Sequence, residues 1–413
     1  MREIEVIAGG GLLHRRAFLA GALAVPGAIA AAPLVDGPWS RHPGPPPSRY
    51  GVPSPAEAPV ARILYTEYPG VAPGAGVSFT PLSQLRGRIT PNGLHFERHH
   101  GGVPAIDPEQ HAFVIHGDVA RPLRFRMEDL LRYPLVTRQL FLECSGNSLL
   151  QALPKPPDAP CAVIHGLLSC SEWTGVPLAL LLEEAGVAPS ARWGVAEGAD
   201  AVKMNRSIPI AKLRDDALLA LYQNGERLRP EQGYPLRLLL PGWEGNTSVK
   251  WLRRVELRRD PVQSRQETAR YSDRLADGSA QQFTFEMGVK SVVTHPSAGL
   301  TLAGPGLYEL SGIAWSGAGR VSRVEVSADG GSSWADALLE APVLPRCLTR
   351  FRIPWKWDGG AGLLLSRAHD ETGAAQPSRE TWLARYAPGQ IYHCNAVQAW
   401  GVTPDGAVKA AYA

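Results

Sequence analysis

The chain has 413 residues, with 42 lysines and arginines against 39 aspartates and glutamates and a net charge of +3. That length suffices for two domains with full cores, and the near-balanced, interspersed charges exclude a protein that grips nucleic acid through a basic block. Glycine (43) and proline (37) are both abundant, which fits a loop-rich, β-containing fold and not a helical bundle.

Residues 1–32 read as a twin-arginine export signal. The run His14-Arg15-Arg16-Ala17-Phe18-Leu19 precedes an apolar, Ala/Gly-rich stretch that ends on the small residues Ala30-Ala31-Ala32. The stretch is too short and too Ala/Gly-rich for a transmembrane helix. Such a leader carries an already folded chain to the periplasm, leaving no stable membrane span after export. Residues 33–59 are rich in proline and lack apolar periodicity, so they read as an extended arm. His42 lies in this arm as a solvated residue.

The main body, residues 60–283, opens on a charged loop, Phe96-Glu97-Arg98-His99-His100-Gly101-Gly102. A strand ending at Gly117 follows, then a short helix over 127–132 stopped by Pro134. Gln139 to Leu142 reads as a buried strand that breaks at Glu143-Cys144-Ser145-Gly146-Asn147-Ser148. A turn at a strand end brings backbone N–H groups and a side chain out to a ligand. A thiolate at Cys144 is a soft ligand suited to a transition metal. Residues 176–185 read as a helix with Leu178, Leu181, Leu182 and Ala185 on one face. Strands are expected over 234–240 and 249–257. The irregular order of strands and short helices excludes a doubly wound α/β sheet.

The five cysteines are Cys144, Cys161, Cys170, Cys347 and Cys394, with no CxxC or CxxCH. This gives neither a thioredoxin-like pair nor a covalent c-type haem site. Cys161 and Cys170 either pair in an oxidising compartment or stay as two buried thiols.

From residue 284 to 413 the pattern changes to short apolar strands separated by Gly/Ser/Asp turns, with Asp329-Gly330-Gly331 the strongest turn signal. Strands over 307–313, 321–326, 348–355 and 363–368 make an all-β sandwich of roughly immunoglobulin type. The fold class is therefore α+β: a mixed α/β domain followed by a β-sandwich.

The segment Phe141-Leu142-Glu143-Cys144-Ser145-Gly146-Asn147 resembles the cysteine loop of the sulfite oxidase family of molybdenum enzymes, and its ECSGNS form is most similar to the sulfane dehydrogenase branch. The resemblance runs from about residue 60 to 413, over several separated motifs in the family's order. It implies one molybdenum–molybdopterin group per chain, with Cys144 as the metal's protein ligand, and a C-terminal dimerisation domain. Arg98 and His100 resemble the family's R-x-H loop, whose arginine lies near metal and substrate and whose histidine contacts the pterin. Phe96, Glu97 and His99 complete that loop, with His99 where the family usually has Asn. Gln232-Gly233-Tyr234-Pro235-Leu236-Arg237 is similar to the family's H-G-F-P-x-R. This makes Arg237 a cofactor-binding arginine, with Gln232 in place of the histidine. In WEGNTSVKWL, from Trp243 to Leu252, Ser248, Val249 and Lys250 match cofactor contacts, and Lys250 is a cation for the phosphate. Asp200, in Glu197-Gly198-Ala199-Asp200, matches a pterin-binding aspartate.

The resemblance also implies catalytic roles. Tyr271, 21 residues after Lys250, falls where the family has its catalytic tyrosine. Phenol is a neutral donor with an ordinary pKa of about 10. Trp173 matches a tryptophan near the substrate channel, and Arg385 resembles a substrate-side arginine from the second domain. One departure bears on specificity. Sulfite oxidases carry an arginine five residues after the metal cysteine, and this chain has Leu149. The expected reaction is thus oxidation of sulfane sulfur on a carrier protein, or of sulfite, with electrons leaving to a c-type cytochrome in a homodimer or heterotetramer. A free-sulfite dehydrogenase, and a nitrate or sulfoxide reductase on the same fold, are the alternatives.

Overall fold

The Gln139–Leu142 run is the centre of a longer strand, Val136–Glu143. Alternation along it splits two cores: Leu140 and Leu142 face one, while Phe141 faces the other. This strand pairs antiparallel along its whole length with Leu168–Pro177. The latter pairs with Leu218–Gln223, and Glu226–Arg227 and Arg237–Leu239 complete the five-stranded sheet. A second five-stranded sheet runs in the order Asn205–Pro209, Trp193–Gly198, Leu252–Arg258, Ala112–Gly117, Leu123–Arg126, with one parallel pairing between Leu252–Arg258 and Ala112–Gly117. A small sheet of Ile63–Tyr65, Gly76–Phe79 and Glu97–His99 presents the Arg98 loop. The molecule is a computed structural model describing residues 5–14, 37–65, 73–390 and 392–413.

Several expected boundaries move, two of them for a visible local reason. The helix is Leu178–Ala185, with Leu178, Leu181, Leu182 and Ala185 all buried as the spacing predicts. It starts late because Val176 and Pro177 still pair in the ladder, with Leu219 and Leu218. The strand expected over 249–257 begins only at Leu252. Trp251 stands at φ 53°, outside any strand conformation, which turns Val249 and Lys250 out of the sheet. The strand expected over 234–240 contracts to Arg237–Leu239, and the 127–132 helix to Met127–Leu130.

The C-terminal third is a sandwich. One sheet contains Lys290–His295, Gly306–Trp315 and Thr349–Trp357; the other contains Val321–Ser327, Gly362–Asp370, Ala399–Val402 and Val408–Ala411. Its core continues into the first domain, where Leu82, Phe141, Cys161, Ile164, Leu168 and Cys170 pack on Val292, Ile313, Trp315 and Phe351. So extensive an apolar contact fixes the two domains against each other.

The chain's start adds to this sandwich. Leu12–Leu13 pairs with the Thr349–Trp357 strand through Leu12 and Trp355, and both leucines are buried. Gly11 sits at φ +87°, and a Cβ there would lie 2.1 Å from the Lys356 carbonyl oxygen, so only glycine fits. Residues 6–13, read from sequence as part of the leader, thus lie on the sandwich edge. The twin arginines and the apolar run after them fall outside the described residues. The proline-rich arm is exposed from Arg41 to Pro59, as expected, and is pinned where Tyr50 Oη donates to Glu226 at 2.7 Å. Among the described residues no helix is long and apolar enough to cross a membrane.

Candidate active site

The Val136–Glu143 strand delivers Cys144 to the floor of a cleft between the sheets. The turn after it is tied down at several points. The Cys144 N–H donates to the Leu167 carbonyl (3.0 Å) and the Asn147 N–H to the Cys144 carbonyl (2.8 Å). The Asn147 side chain bridges the Leu167 N–H (3.1 Å) and the Glu143 carboxylate (2.9 Å). Gly245 lets the neighbouring loop approach: a Cβ there would stand 2.9 Å from the Glu143 carbonyl oxygen. Burial pushes the Cys144 thiol up, opposed by the Gly146 N–H and the Arg98 cation. A thiolate there calls for a cationic partner. Among the described residues no three His, Cys, Asp or Glu side chains cluster as a metal cage. A metal on Cys144 would therefore take its remaining donors from a non-protein group.

Around Cys144 the cleft is lined by Phe96, Arg98, His99, His100, Asp200, Gln232, Arg237, Ser248, Val249, Lys250 and Tyr271. All but Tyr271, the expected catalytic tyrosine, are residues that the cofactor motifs single out, and the set is gathered from five separate segments. Their electrostatics test the fit of a pterin phosphate. Arg237 is buried and donates only to neutral oxygens: the Ser248 carbonyl (3.2 Å) and the Gln232 carbonyl (3.3 Å) and side chain (3.2 Å). Lys250 Nζ donates to His99 Nδ1 (2.8 Å) and to the Glu231 (3.0 Å) and Arg98 (3.3 Å) carbonyls. Among the described residues no carboxylate is in ion-pair contact with either cation, although Glu97 and Asp200 lie near enough to favour the charge on Lys250. Burial pulls Arg237 down to about 9. Burial, and then the charge of Arg237, pull Lys250 well down. A buried arginine and a partly buried lysine, neither of them ion-paired, suit a phosphate. The donor set fits a molybdopterin.

His100 and Tyr271 meet above Cys144, with Nε2 and Oη 3.0 Å apart. Burial, reinforced by Arg98, Arg270 and Lys250, pulls His100 down to about 3, so it is neutral at ordinary pH. Burial likewise pushes the Tyr271 phenol up and keeps it protonated. The pair therefore holds a neutral hydroxyl at the cleft mouth.

Beside the cleft opens a cavity of about 420 Å³. Val77, Phe79, Leu149, Leu150, Val163, Ile164 and Leu167 make its walls. Arg98, His100, Cys144, Arg270, Tyr271 and Tyr392 stand at its polar end. Among the described residues neither Arg98 nor Arg270 pairs with a carboxylate.

Three expected site residues lie elsewhere. Glu97 points away from the cleft, paired with Arg62 and with His99 Nε2 (2.7 Å). Trp173 is fully buried in the core, where its ring supports Arg237 (5.5 Å) and meets His95 edge-on (5.8 Å). Arg385 is exposed on the Arg379–Arg385 helix, over the Tyr386 ring and 3.5 Å from Gln281. Conversely, Arg270, Tyr392, Met204 and Asn246 line the two cavities without having been singled out. Arg270 was within reach of sequence reading as a cation adjoining Tyr271, whereas Tyr392 comes from the second domain with no motif around it.

A cysteine at the cleft floor, a cationic cradle for a phosphate and a sandwich behind them define a molybdopterin oxidoreductase, and the chain belongs to the sulfite oxidase family of these enzymes. Residues 100–266 match the oxidoreductase molybdopterin binding domain, and residues 281–399 match the Mo-co oxidoreductase dimerisation domain. Among solved structures, a chain of the sulfane dehydrogenase SoxCD from Paracoccus pantotrophus is 42% identical, with a TM-score of 0.88 covering 92% of this chain and 97% of that one. Among curated relatives, a nitrate reductase of Hordeum vulgare is 32% identical over 348 residues, and one of Solanum lycopersicum 30% over 351, each alignment covering 73% of this chain. The chain spans about 38% of the length of those nitrate reductases.

Proposed function

We propose that this chain is the catalytic subunit of a periplasmic enzyme that oxidises reduced sulfur, held on a carrier protein or as sulfite, and passes electrons to a c-type cytochrome. The observation that carries this reading is the cavity beside Cys144: apolar walls leading to two arginines without carboxylate partners. A small free dianion has no use for such walls, whereas a sulfur atom on a peptide arm would bury the arm along them. The 42% identity to a sulfane dehydrogenase supports it. The Arg15-Arg16 leader supports folded export, which suits a chain that receives its cofactor before transport. The match to a dimerisation domain supports a homodimer or heterotetramer.

The molybdenum–pterin group, when bound, supplies two-electron oxygen-atom transfer. The chain's own residues do the rest. Arg237 and Lys250 would hold the group's phosphate, Asp200 would hold its polar ring, and Cys144 would be the protein's ligand to its metal. Arg98 and Arg270 draw the anionic end of the substrate to the cavity's polar end. Tyr271, propped by His100, offers a neutral donor to charge developing on oxygen. The leucine and valine walls keep water from the reacting sulfur.

A free-sulfite dehydrogenase is the second reading, favoured by Arg98 and Arg270 together, since a pair of cations suits a dianion. Rapid-mixing reduction of the loaded enzyme separates the two. Faster reduction by a peptide cysteine persulfide than by sulfite supports the carrier reading; the reverse order overturns it.

A further inference from the structure

Outside the active site, one pair of reactive groups stands unexplained. Cys170, in the Leu168–Pro177 strand, and Cys347, in the loop before Thr349–Trp357, lie across the interface between the two domains. Their Sγ atoms are 3.5 Å apart, both buried and not bonded to each other, and 177 residues separate them in sequence. An S–S bond is about 2 Å, so bonding needs the sulfurs to approach by about 1.5 Å. Sequence reading considered Cys170 with Cys161, but the Cys161 thiol is hydrogen-bonded to Ser297 instead.

The surroundings hold the two thiols in register. Phe141, directly opposite Cys170 in the ladder, donates its N–H to the Arg346 carbonyl at 3.1 Å, next to Cys347. Arg346 in turn reaches Asp216 at 3.1 Å. The two thiols are also unequal. The contact with Cys170, and beyond it the nearby Arg88 cation, pull Cys347 down, whereas burial pushes Cys170 well up.

We propose that Cys170 and Cys347 form a redox-switchable staple between the molybdopterin domain and the sandwich. The oxidant is a peroxide, small and uncharged, and the Arg88 cation stands beside Cys347. The Cys347 thiolate attacks the peroxide, its sulfur becomes a sulfenic acid and hydroxide leaves. The Cys170 sulfur then displaces the sulfenic hydroxyl, forming the S–S bond and releasing water. Two thiols and one hydrogen peroxide thus give one disulfide and two waters, and a dithiol reductant reverses the change. Because Phe141 is three residues before Cys144, the staple fastens the strand that carries the metal ligand to the second domain.

The test uses the loaded full-length enzyme, in which Cys144 is occupied. After treatment with dilute hydrogen peroxide, free thiols are alkylated in denaturant and peptides are mapped without reduction. The expected result is one cross-linked peptide joining Cys170 to Cys347. Unfolding should shift upward by on the order of 5 °C, a shift reversed by dithiothreitol and missing in Cys347→Ser. In Cys170→Ser, which keeps the nucleophile and lacks the resolving thiol, dimedone should label Cys347. Recovery of both cysteines as alkylated monomers from the peroxide-treated wild type, or a cross-link through Cys161, overturns the proposal whether or not either variant folds.

Discussion

The Lys290 ammonium lies 3.2 Å from the carboxylate of Glu143, the residue immediately before Cys144, and both side chains are buried. Lys290 comes from the sandwich and Glu143 from the molybdopterin domain, so the ion pair crosses the domain boundary. Glu143 also accepts from Trp315 Nε1 at 2.6 Å, and Lys290 donates to the Cys394 carbonyl at 2.7 Å. Removing one partner leaves a buried charge alone. Lys290→Met should destabilise the protein by about 3–5 kcal/mol. The double variant Glu143→Gln with Lys290→Met should recover much of that loss. Denaturant unfolding of the wild type and the two variants checks both the loss and its recovery.

The cradle makes a prediction about retention. Arg237→Met removes a buried cation that meets only neutral oxygens, so the protein without cofactor should be as stable as wild type, or more so. Cofactor binding should weaken by one to two orders of magnitude, the worth of about 1.5–3 kcal/mol for a charge-assisted hydrogen bond. Molybdenum and pterin content after dialysis, beside a thermal melt, reads the two effects separately.

Tyr271→Phe deletes the hydroxyl that meets His100 and keeps the ring, which packs on the Arg206 guanidinium at 4.9 Å. Turnover should fall by roughly a hundredfold, with metal content unchanged. Equal turnover by Tyr271→Phe would remove the hydroxyl from the mechanism.

Arg270 and Arg385 separate two readings of substrate binding. Arg385 is exposed on its helix, so Arg385→Ala should leave kcat/KM within about twofold. Arg270→Met should lower kcat/KM for an anionic sulfur substrate by about tenfold or more. Steady-state assays of the two variants side by side decide whether the cation at the cavity comes from the first domain or the second.

His393 gives a pH dependence. Its ring lies 3.5 Å from Glu244 and 3.7 Å from Asp273. Burial opposes its charge, but the two carboxylates outweigh burial and hold its pKa above 6.5 in the folded protein. The stabilisation is therefore complete below about pH 6.5, the unfolded value, and is lost as pH rises through the folded value. Thermal midpoints measured from acid to alkaline pH should decline across that window in wild type and stay flatter in His393→Gln.

Legibility in the sequence followed distance along the chain. The Cys144 turn and the strands of the sandwich could be read because strand alternation and turn residues are local signals. The cleft residues from Phe96 to Lys250 could be matched because each sits in a short motif. What escaped was non-local or conformational. Glu143 and Lys290 are 147 positions apart, and each alone is an ordinary charged residue. Trp251 at φ 53° broke a strand that its apolar neighbours announce. Trp173 looked like a channel residue and is instead a support under Arg237, a distinction that only packing reveals.

The glycine-lined start of the chain carries a last consequence. Leu12 and Leu13 find their burial only against the finished sandwich, where Trp355 Nε1 also donates to the Gly10 carbonyl at 2.8 Å. The residues just ahead of Arg15 and Arg16 are thus moored by a folded second domain, and an unfolded one has no berth for them. Trimming the chain after residue 32 would free the outer edge of the Thr349–Trp357 strand beside Trp355, giving the trimmed protein an open seam that the longer chain keeps shut.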